Sequence, residues 1–283
     1  EFAQMYAHFG TKVTILQRSD RIIPEEEEII SDMLRRYLEA EGIKIYTGVA
    51  VKSVREDGKY KIVSAHVNGK SMEFKGEELL LATGRKPNTS QLGLEKAGVK
   101  LGRNGEVIVS EEMRTSAEHV YAAGDVTGRA MLETVAAKEG AIAAENALTG
   151  SEKKMDLLAV PHAIFTSPQV ASVGLTERRV EEKIKCRCSA IAMEHVPKAQ
   201  IVGDLRGVVK MVIEDSTERI LGVHILAPLA AEMIHEVVLA VKYKLTIDDI
   251  INIVHVFPTF SEAIKLVAQS FRRDISKMSC CVE

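Results

Sequence analysis

The amino-acid sequence predicts an α/β fold in which a doubly wound nucleotide-binding portion is followed by a separate C-terminal α+β domain. Helical and strand patterns alternate between Phe2 and Tyr46, as in a parallel sheet covered by helices. Two turns that contain glycine directly follow apolar runs, Leu79–Ala82 and Val120–Ala123. After Pro161, five short strand patterns are grouped and two helical patterns follow them, which is typical of an α+β domain.

The first fifty residues are predicted to form helix, strand, helix and strand. Apolar residues at helical spacing mark the first helix: Phe2, Met5, Tyr6 and Phe9. Val13–Leu16 is an apolar strand, Glu26–Glu41 is an amphipathic helix, and Ile43–Tyr46 begins the next strand. Because no capping residue precedes the first helix, we expect an N-terminally truncated fragment whose first strand and Gly-rich loop lie upstream.

Between residues 51 and 74 the spacing of apolar residues changes from helical to alternating. With Asn68-Gly69 as a turn, this alternation of apolar and polar residues predicts an antiparallel meander. Leu79–Ala82 lacks polar alternation, which favours a parallel strand buried on both faces. An Ala-rich helix is predicted for Leu132–Leu148. We expect three parts, at residues 1–82, 83–156 and 157–283.

Composition excludes several classes of protein. The chain is 46% hydrophobic and 27% charged with a net charge of −3, so it offers no basic face for nucleic acid. Its apolar runs fall short of the ~20 residues needed to span a bilayer, which argues against a membrane protein. Four cysteines in 283 residues and the lack of a signal-peptide pattern predict a cytoplasmic protein.

A Gly-Asp pair follows the second apolar run. Gly124 permits close approach of a ligand to the backbone, and Asp125 can accept hydrogen bonds from ligand hydroxyls. The N-terminus of the next helix, near Leu132, would present a partial positive charge to an electron-rich ligand group. A lone Gly-Asp is usually a simple strand-to-helix turn, so its meaning depends on the other motifs.

Three motifs occur in a fixed order: Ala82–Asn88 (ATGRKPN), Ala122–Asp125 (AAGD) and Phe257–Glu262 (FPTFSE). This set resembles the class I flavoprotein pyridine nucleotide-disulfide oxidoreductases, Rossmann-like homodimers that use FAD and a nicotinamide. The resemblance covers essentially the whole chain. It implies that residues 1–82 bind NAD(P)H, that 83–156 return to the FAD domain, and that 157–283 form the dimerisation domain.

The resemblance also carries cofactor roles onto individual residues. Asp125 would hold the ribityl chain of FAD, and the helix start at Thr134 would face the flavin ring. Glu1 resembles the acidic residue that closes the nucleotide-binding Gly motif. The residues implied to bind a cofactor in this way are Glu1, Gly84, Gly124, Asp125, Thr134 and Val135.

The choice of nicotinamide is predicted from the residues that follow Leu16. An arginine there accommodates the extra phosphate of NADP, whereas an acidic residue binds the ribose of NAD. Arg18 and Arg21 could clamp that phosphate with bidentate bonds, which favours NADPH. Asp20 keeps NAD as the alternative, and solvated surface charges would also explain both arginines.

The FPTFSE motif departs from its family at one catalytic position. Disulfide-reducing members carry a catalytic His before the Pro, whereas this chain has Phe257 there and keeps Glu262. A phenyl ring cannot shuttle a proton. It also lacks the hydroxyl of the Tyr that metal-reducing members often carry near this position. His255 is interpreted as a structural or rim residue.

Two adjacent cysteines, Cys280 and Cys281, lie near the end of the chain. Thiolates favour soft metal ions, and the pair resembles that of the family members that reduce mercury(II), where it binds the incoming ion. An incidental pair, a vicinal disulfide and a lipidation signal are the alternatives. A reducing cytosol disfavours the disulfide, and Glu283 fits a lipidation signal poorly. Cys186 and Cys188 are interpreted as structural, on the expectation that they face opposite sides of a strand.

We predict that the intact protein reduces Hg(II) to Hg(0) with NADPH, through FAD and a redox-active dithiol, and that Cys280 and Cys281 deliver the ion. The chain holds no two cysteines separated by four residues and no Gly-rich turn for the FAD pyrophosphate, so we expect it to be inactive in isolation. Two alternatives remain: a related FAD-dependent disulfide reductase such as dihydrolipoamide dehydrogenase, and a non-catalytic metal-binding dimerisation fragment.

Overall fold

The computed structural model describes residues 1–181 and 184–274. The chain divides into two compact units, one that joins Glu1–Leu80 to the described residues from Pro161 onward and one formed by Leu81–Val160. The first and third of the three parts expected from the sequence therefore pack together. Within the described ranges, no helix combines the length and the apolarity that crossing a membrane requires.

The N-terminal part of the first unit contains two helices and two short strands: α1 (Phe2–His8), β1 (Thr14–Leu16), α2 (Glu28–Ala40) and β2 (Lys44–Tyr46). The two strands pair in parallel, as the sequence predicts. The helix α2 buries Ile30, Leu34 and Leu38 in the core beside them. It begins two residues later than predicted, because Glu26 and Glu27 bind side chains of the C-terminal domain instead.

The antiparallel meander is confirmed. Its strands are β3 (Val49–Asp57), β4 (Tyr60–Val67) and β5 (Lys70–Gly76). Asn68 and Gly69 both have positive φ, 48° and 78°, as a tight hairpin turn of this kind requires.

The second unit is built around one long helix, α3 (Glu133–Thr149), which confirms the predicted Ala-rich helix. Gly150 ends α3 in the left-handed conformation with a φ of 72°. The helix packs on a small apolar core: Met113, Val135, Ile142, Ala143 and Met155.

Two predicted strands are wrong. Leu79–Ala82 forms no strand, and Leu80 and Leu81 are 59% and 73% exposed. Val120–Ala123 makes only an isolated bridge, between Tyr121 and Arg114. A buried parallel strand needs backbone partners on both sides. Neither segment lies between such partners among the described residues.

The C-terminal domain is a five-stranded antiparallel sheet with helices on both faces, as the α+β prediction expects. Its strands are β6 (His162–Ile164), β7 (Gln169–Gly174), β8 (Cys186–Ala192), β9 (Val208–Glu214) and β10 (Ile220–Ala227). Their order across the sheet is β6-β7-β10-β9-β8. The helices are α4 (Glu177–Glu181), α5 (Pro197–Val202), α6 (Ala230–Lys242), α7 (Ile247–Ile251) and α8 (Glu262–Gln269).

Four polar side chains, one from each of four neighbouring strands, lie on the same face of this sheet. Each is paired with the next across the sheet. We call them the polar row: His162, Ser172, His224 and Lys210. Glu26 accepts hydrogen bonds from His162 and Ser172. Lys210 Nζ lies 2.8 Å from Glu27 Oε2. The segment before α2 is therefore bound to the sheet by buried charges.

Candidate functional site

Gly124 and Asp125 lie in a short 3-10 turn, Gly124–Thr127, that precedes α3. Gly124 has a φ of 79°, and a Cβ atom there would lie 3.1 Å from the Cβ atom of Ala136, so the turn favours glycine. The N–H of Gly124 donates to Oε2 of the buried Glu139 over 2.7 Å. Sequence reasoning missed Glu139, because an acid in an Ala-rich helix gives no signal that it is buried.

Two of the three sequence motifs meet within the second unit. Arg85 Nη1 donates to Asp125 Oδ2 over 2.7 Å, and Arg85 Nη2 donates to the carbonyl oxygen of Met131 over 2.7 Å. Gly84, just before this arginine, has a φ of 97°. The ATGRKPN and AAGD motifs therefore form one cluster beside the start of α3.

The N-terminus of α3 offers backbone N–H groups to a ligand. No side chain caps it at Leu132. Thr134 is exposed, whereas the side chain of Val135 is buried in the core of the unit, so Val135 can offer only its backbone. Together with the exposed carboxylate of Asp125, these donors fit the hydroxyls and the electron-rich ring of FAD.

The three residues predicted to bind the nicotinamide nucleotide differ in their surroundings. Arg18 is exposed just after β1. Arg21 forms an ion pair with Glu28 and lies 3.9 Å from Asp32. Glu1 Oε1 accepts a hydrogen bond from the N–H of Phe165 over 2.6 Å. Arg18 therefore fits an added phosphate better than Arg21, whose charge is already balanced by carboxylates.

Phe257 and Glu262 lie in the segment that leads into α8. Phe257 is 49% exposed, whereas Glu262 is only 9% exposed. Oε2 of Glu262 has no hydrogen-bond partner within the described residues. Burial raises the pKa of the Glu262 carboxyl, while the charges of His255 and Lys265 oppose the shift. The structure therefore gives this carboxyl group a perturbed environment, in the same segment as an inert ring.

His255 is held by two oxygen atoms. Its Nε2 lies 2.8 Å from Glu236 Oε1 and its Nδ1 lies 3.1 Å from the carbonyl oxygen of Ile253. Its side chain is 8% exposed, as expected of a structural or rim histidine. Sequence reasoning missed Glu236. A cleft of about 440 Å³ is lined by Glu236, Ile253, Val254, His255, Val256, Thr259 and Ser261.

The cysteines divide into two groups. Cys280 and Cys281, the predicted metal ligands, lie outside the described residues. Cys186 and Cys188 lie on β8 opposite Glu214 and Val212 of β9, in unbroken register, and neither forms a disulfide. Side chains two residues apart on a strand share a face, so the expectation that they face opposite sides is wrong. The described residues contain no group of three or more side chains arranged to hold a metal ion.

Comparison with protein-family models gives two matches. The model described as pyridine nucleotide-disulphide oxidoreductase matches residues 1–140. The model of the dimerisation domain of the same family matches residues 160–268.

Curated relatives agree with these matches. The mercuric reductase of Staphylococcus aureus is 40% identical over 99% of this chain and 52% of the relative. That of Streptomyces lividans is 39% identical over 99% of this chain and 59% of the relative. The chain therefore spans about half the length of the curated relatives it matches.

Solved structures are also similar. LpdA from Mycobacterium tuberculosis is 29% identical, with a TM-score of 0.87 over 96% of this chain and 59% of that one. The Cu(II) complex of the HOCl-induced flavoprotein disulfide reductase RclA from Escherichia coli is 27% identical, with a TM-score of 0.85 over 96% of this chain and 61% of that one.

These matches cover both halves of the chain and both motifs of the second unit. The family and the relatives imply FAD and NADPH as cofactors, in agreement with the sequence. The chain belongs to the pyridine nucleotide-disulphide oxidoreductase family.

Proposed function

We propose that the complete protein is an NADPH- and FAD-dependent mercury(II) reductase. The observation that carries the proposal is the 40% identity to the Staphylococcus aureus mercuric reductase over 99% of the chain. Identity to the RclA disulfide reductase is 27%. The reaction balances as NADPH and Hg(II) giving NADP⁺, Hg(0) and one proton.

The second unit would hold part of FAD. Asp125 would accept hydrogen bonds from hydroxyls of the cofactor, while Thr134 and Val135 would offer backbone N–H groups. When bound, FAD supplies the two-electron transfer between the nicotinamide and a dithiol. Glu139 fixes the turn at Gly124, so that the carboxylate of Asp125 stays beside the start of α3.

The first unit would bind NADPH, with Arg18 as the main contact to its added phosphate. This arginine is exposed. Arg21 would contribute less, since Glu28 and Asp32 compete for its guanidinium group. Glu1 would lie at the edge of the same nucleotide site.

Phe257 is better suited to reduction of a metal ion than to reduction of a disulfide. Cleavage of a disulfide substrate produces a leaving thiolate that benefits from a positioned proton donor. Reduction of Hg(II) to a neutral atom consumes two electrons and no proton. A phenyl ring at this position is therefore compatible with the proposed reaction, and Glu262 retains a carboxyl group in the same segment.

Cys280 and Cys281 would bind incoming Hg(II) as thiolates and pass it to a redox-active pair in the complete protein. Each transfer exchanges one metal–sulfur bond for another, without a change in oxidation state. The partner would be a second copy of the chain, since residues 160–268 match the dimerisation-domain model. We propose a cytoplasmic location, where thiols stay reduced.

The test is NADPH oxidation by the complete protein with and without Hg(II), in the presence of excess competing thiol. We expect oxidation that Hg(II) stimulates and that falls in Cys280→Ala/Cys281→Ala. The matched control, Ser276→Ala/Ser279→Ala, alters the same tail and should keep the stimulation. Turnover of an organic disulfide without any response to Hg(II) would favour the disulfide reductase instead.

A second test concerns the chain as it stands. We expect the 283-residue chain to be purified without tightly bound flavin and to show no mercury reduction. Absorbance of the purified chain at the flavin wavelengths measures this directly. One flavin for each chain would contradict the expectation.

A further inference from the structure

Cys186 and Cys188 lie on the outer strand of the five-stranded sheet, with both side chains on one face. The rise along a strand is about 3.3 Å for each residue, so their Cα atoms are about 6.6 Å apart. On the opposite face of β8, Ser189 Oγ lies 2.6 Å from the Oγ atom of Ser270, which directly follows α8. The two thiols therefore form a pair that faces away from α8.

Helix α4 packs against β8 and adds a carboxylate to this pair. The thiol of Cys188 is hydrogen-bonded to Glu177, and Glu177 also accepts a hydrogen bond from Lys210. Lys210 belongs to the polar row and lies on the same face of the sheet as the two cysteines. A cation and a proton acceptor therefore lie beside the thiols.

These surroundings select which ligand can bind. Burial and the charge of Glu177 raise the pKa of the Cys188 thiol well above its ordinary value, while Lys210 opposes the shift. Sulfur is a soft donor, so a hard cation gains little from binding to this pair. A soft ion forms strong bonds to two thiolates on one face of a strand.

We propose that Cys186 and Cys188 form a second dithiol site, which binds one soft divalent metal ion, such as Hg(II), as a bis-thiolate. Two S–H bonds break and two sulfur–metal bonds form, and both protons leave to solvent, with Glu177 as the first acceptor for that of Cys188. No electron is transferred. The site is distinct from Cys280 and Cys281, and it does not depend on the proposed reductase function.

The test measures Hg(II) retained by the complete protein carrying Cys280→Ala/Cys281→Ala, after gel filtration in excess glutathione. We expect a further Cys186→Ser/Cys188→Ser change to remove one metal ion for each chain. Either single substitution should remove the same amount, because one thiolate alone cannot compete with the excess of glutathione. Ser189→Ala, on the opposite face of β8, is the control that should retain the ion. Equal retention in all variants would overturn the proposal.

A second measurement needs no substitution at the pair and so does not depend on the folding of a variant. Cleavage after Glu182 and Glu194 gives a peptide, residues 183–194, that contains both cysteines. We expect Hg(II) to protect both from alkylation in the native protein, as read from the mass of this peptide. Alkylation of either thiol at an unchanged rate with the metal present would contradict chelation by the pair.

Discussion

Glu26 and His162 form an ion pair that joins the segment before α2 to strand β6 of the five-stranded sheet. The side chain of Glu26 is only 3% exposed, and its carboxylate also lies 3.8 Å from Nδ1 of His224. Burial acts to raise the pKa of Glu26, but the hydrogen bond from His162 and the nearby imidazole of His224 outweigh it and hold the pKa well below its ordinary value. A buried carboxylate is tolerated only with such partners.

We expect the thermal stability of the chain to decline as the pH rises above about 6.5. The hydrogen bond with Glu26 raises the pKa of His162 above its ordinary value of 6.5, although burial opposes the shift. Stabilisation by a group of raised pKa is complete below its unfolded pKa and is lost as the pH rises through the folded one. The lowered pKa of Glu26 has its effect at acidic pH, where stability is lost as the pH falls below about 4.5.

His162→Gln should therefore flatten the decline above about pH 6.5, as measured by the melting temperature across the pH range. His119→Gln removes an exposed histidine of the other unit and is the matched control. An equally steep decline in His162→Gln would contradict the assignment of this effect to the Glu26–His162 pair.

Gly124→Ala should destabilise the second unit and reduce flavin binding by the complete protein. An L residue at a φ of 79° and a Cβ atom 3.1 Å from that of Ala136 together impose strain, on the order of 1–2 kcal/mol. Denaturant unfolding and flavin content measure the two effects. Gly140→Ala is the control in α3, where an added Cβ meets nothing within 4 Å, and it should be neutral or stabilising. Loss of flavin in both variants would argue against a specific role for the turn.

Arg18→Ala should weaken the use of NADPH more than Arg21→Ala does. A charge-assisted contact to phosphate is worth roughly 1.5–3 kcal/mol, so KM for NADPH should rise by about tenfold or more. Arg21 already pairs with Glu28, so its removal should have a smaller effect. Steady-state kinetics with NADPH and with NADH show whether each arginine contacts the added phosphate or another part of the nucleotide. An equal loss with NADH would show that Arg18 does not contact the added phosphate.

Glu262→Gln should stabilise the fold at neutral pH while lowering activity of the complete protein. Burial raises the pKa of Glu262, so the carboxylate form costs stability as the pH rises from about 4.5 through the folded pKa. An uncharged amide of similar shape removes that cost. Melting temperature and turnover with Hg(II) are the measurements. Higher stability with unchanged turnover would mean that Glu262 has no part in the reaction.

Local patterns in the sequence were enough for elements that carry their own signals. These elements are the amphipathic helix α2, the Ala-rich helix α3 and the hairpin turn at Asn68-Gly69. Each is predicted from residues that are close together in the sequence, and the structure confirms all three. The same reasoning failed at Leu79–Ala82. An apolar run looks the same whether or not another strand is available to pair with it.

The sequence by itself determined the fold class, the family and the position of the motifs, because these depend on periodicity and on residue types at short spacing. Tertiary structure alone decided which distant partner each acid meets. Glu139 and Gly124 are 15 residues apart, Glu236 and His255 are 19 apart, and Glu26 and His162 are 136 apart. A carboxylate has the same local sequence pattern whether it is solvated or buried, and only the packing of distant elements distinguishes the two.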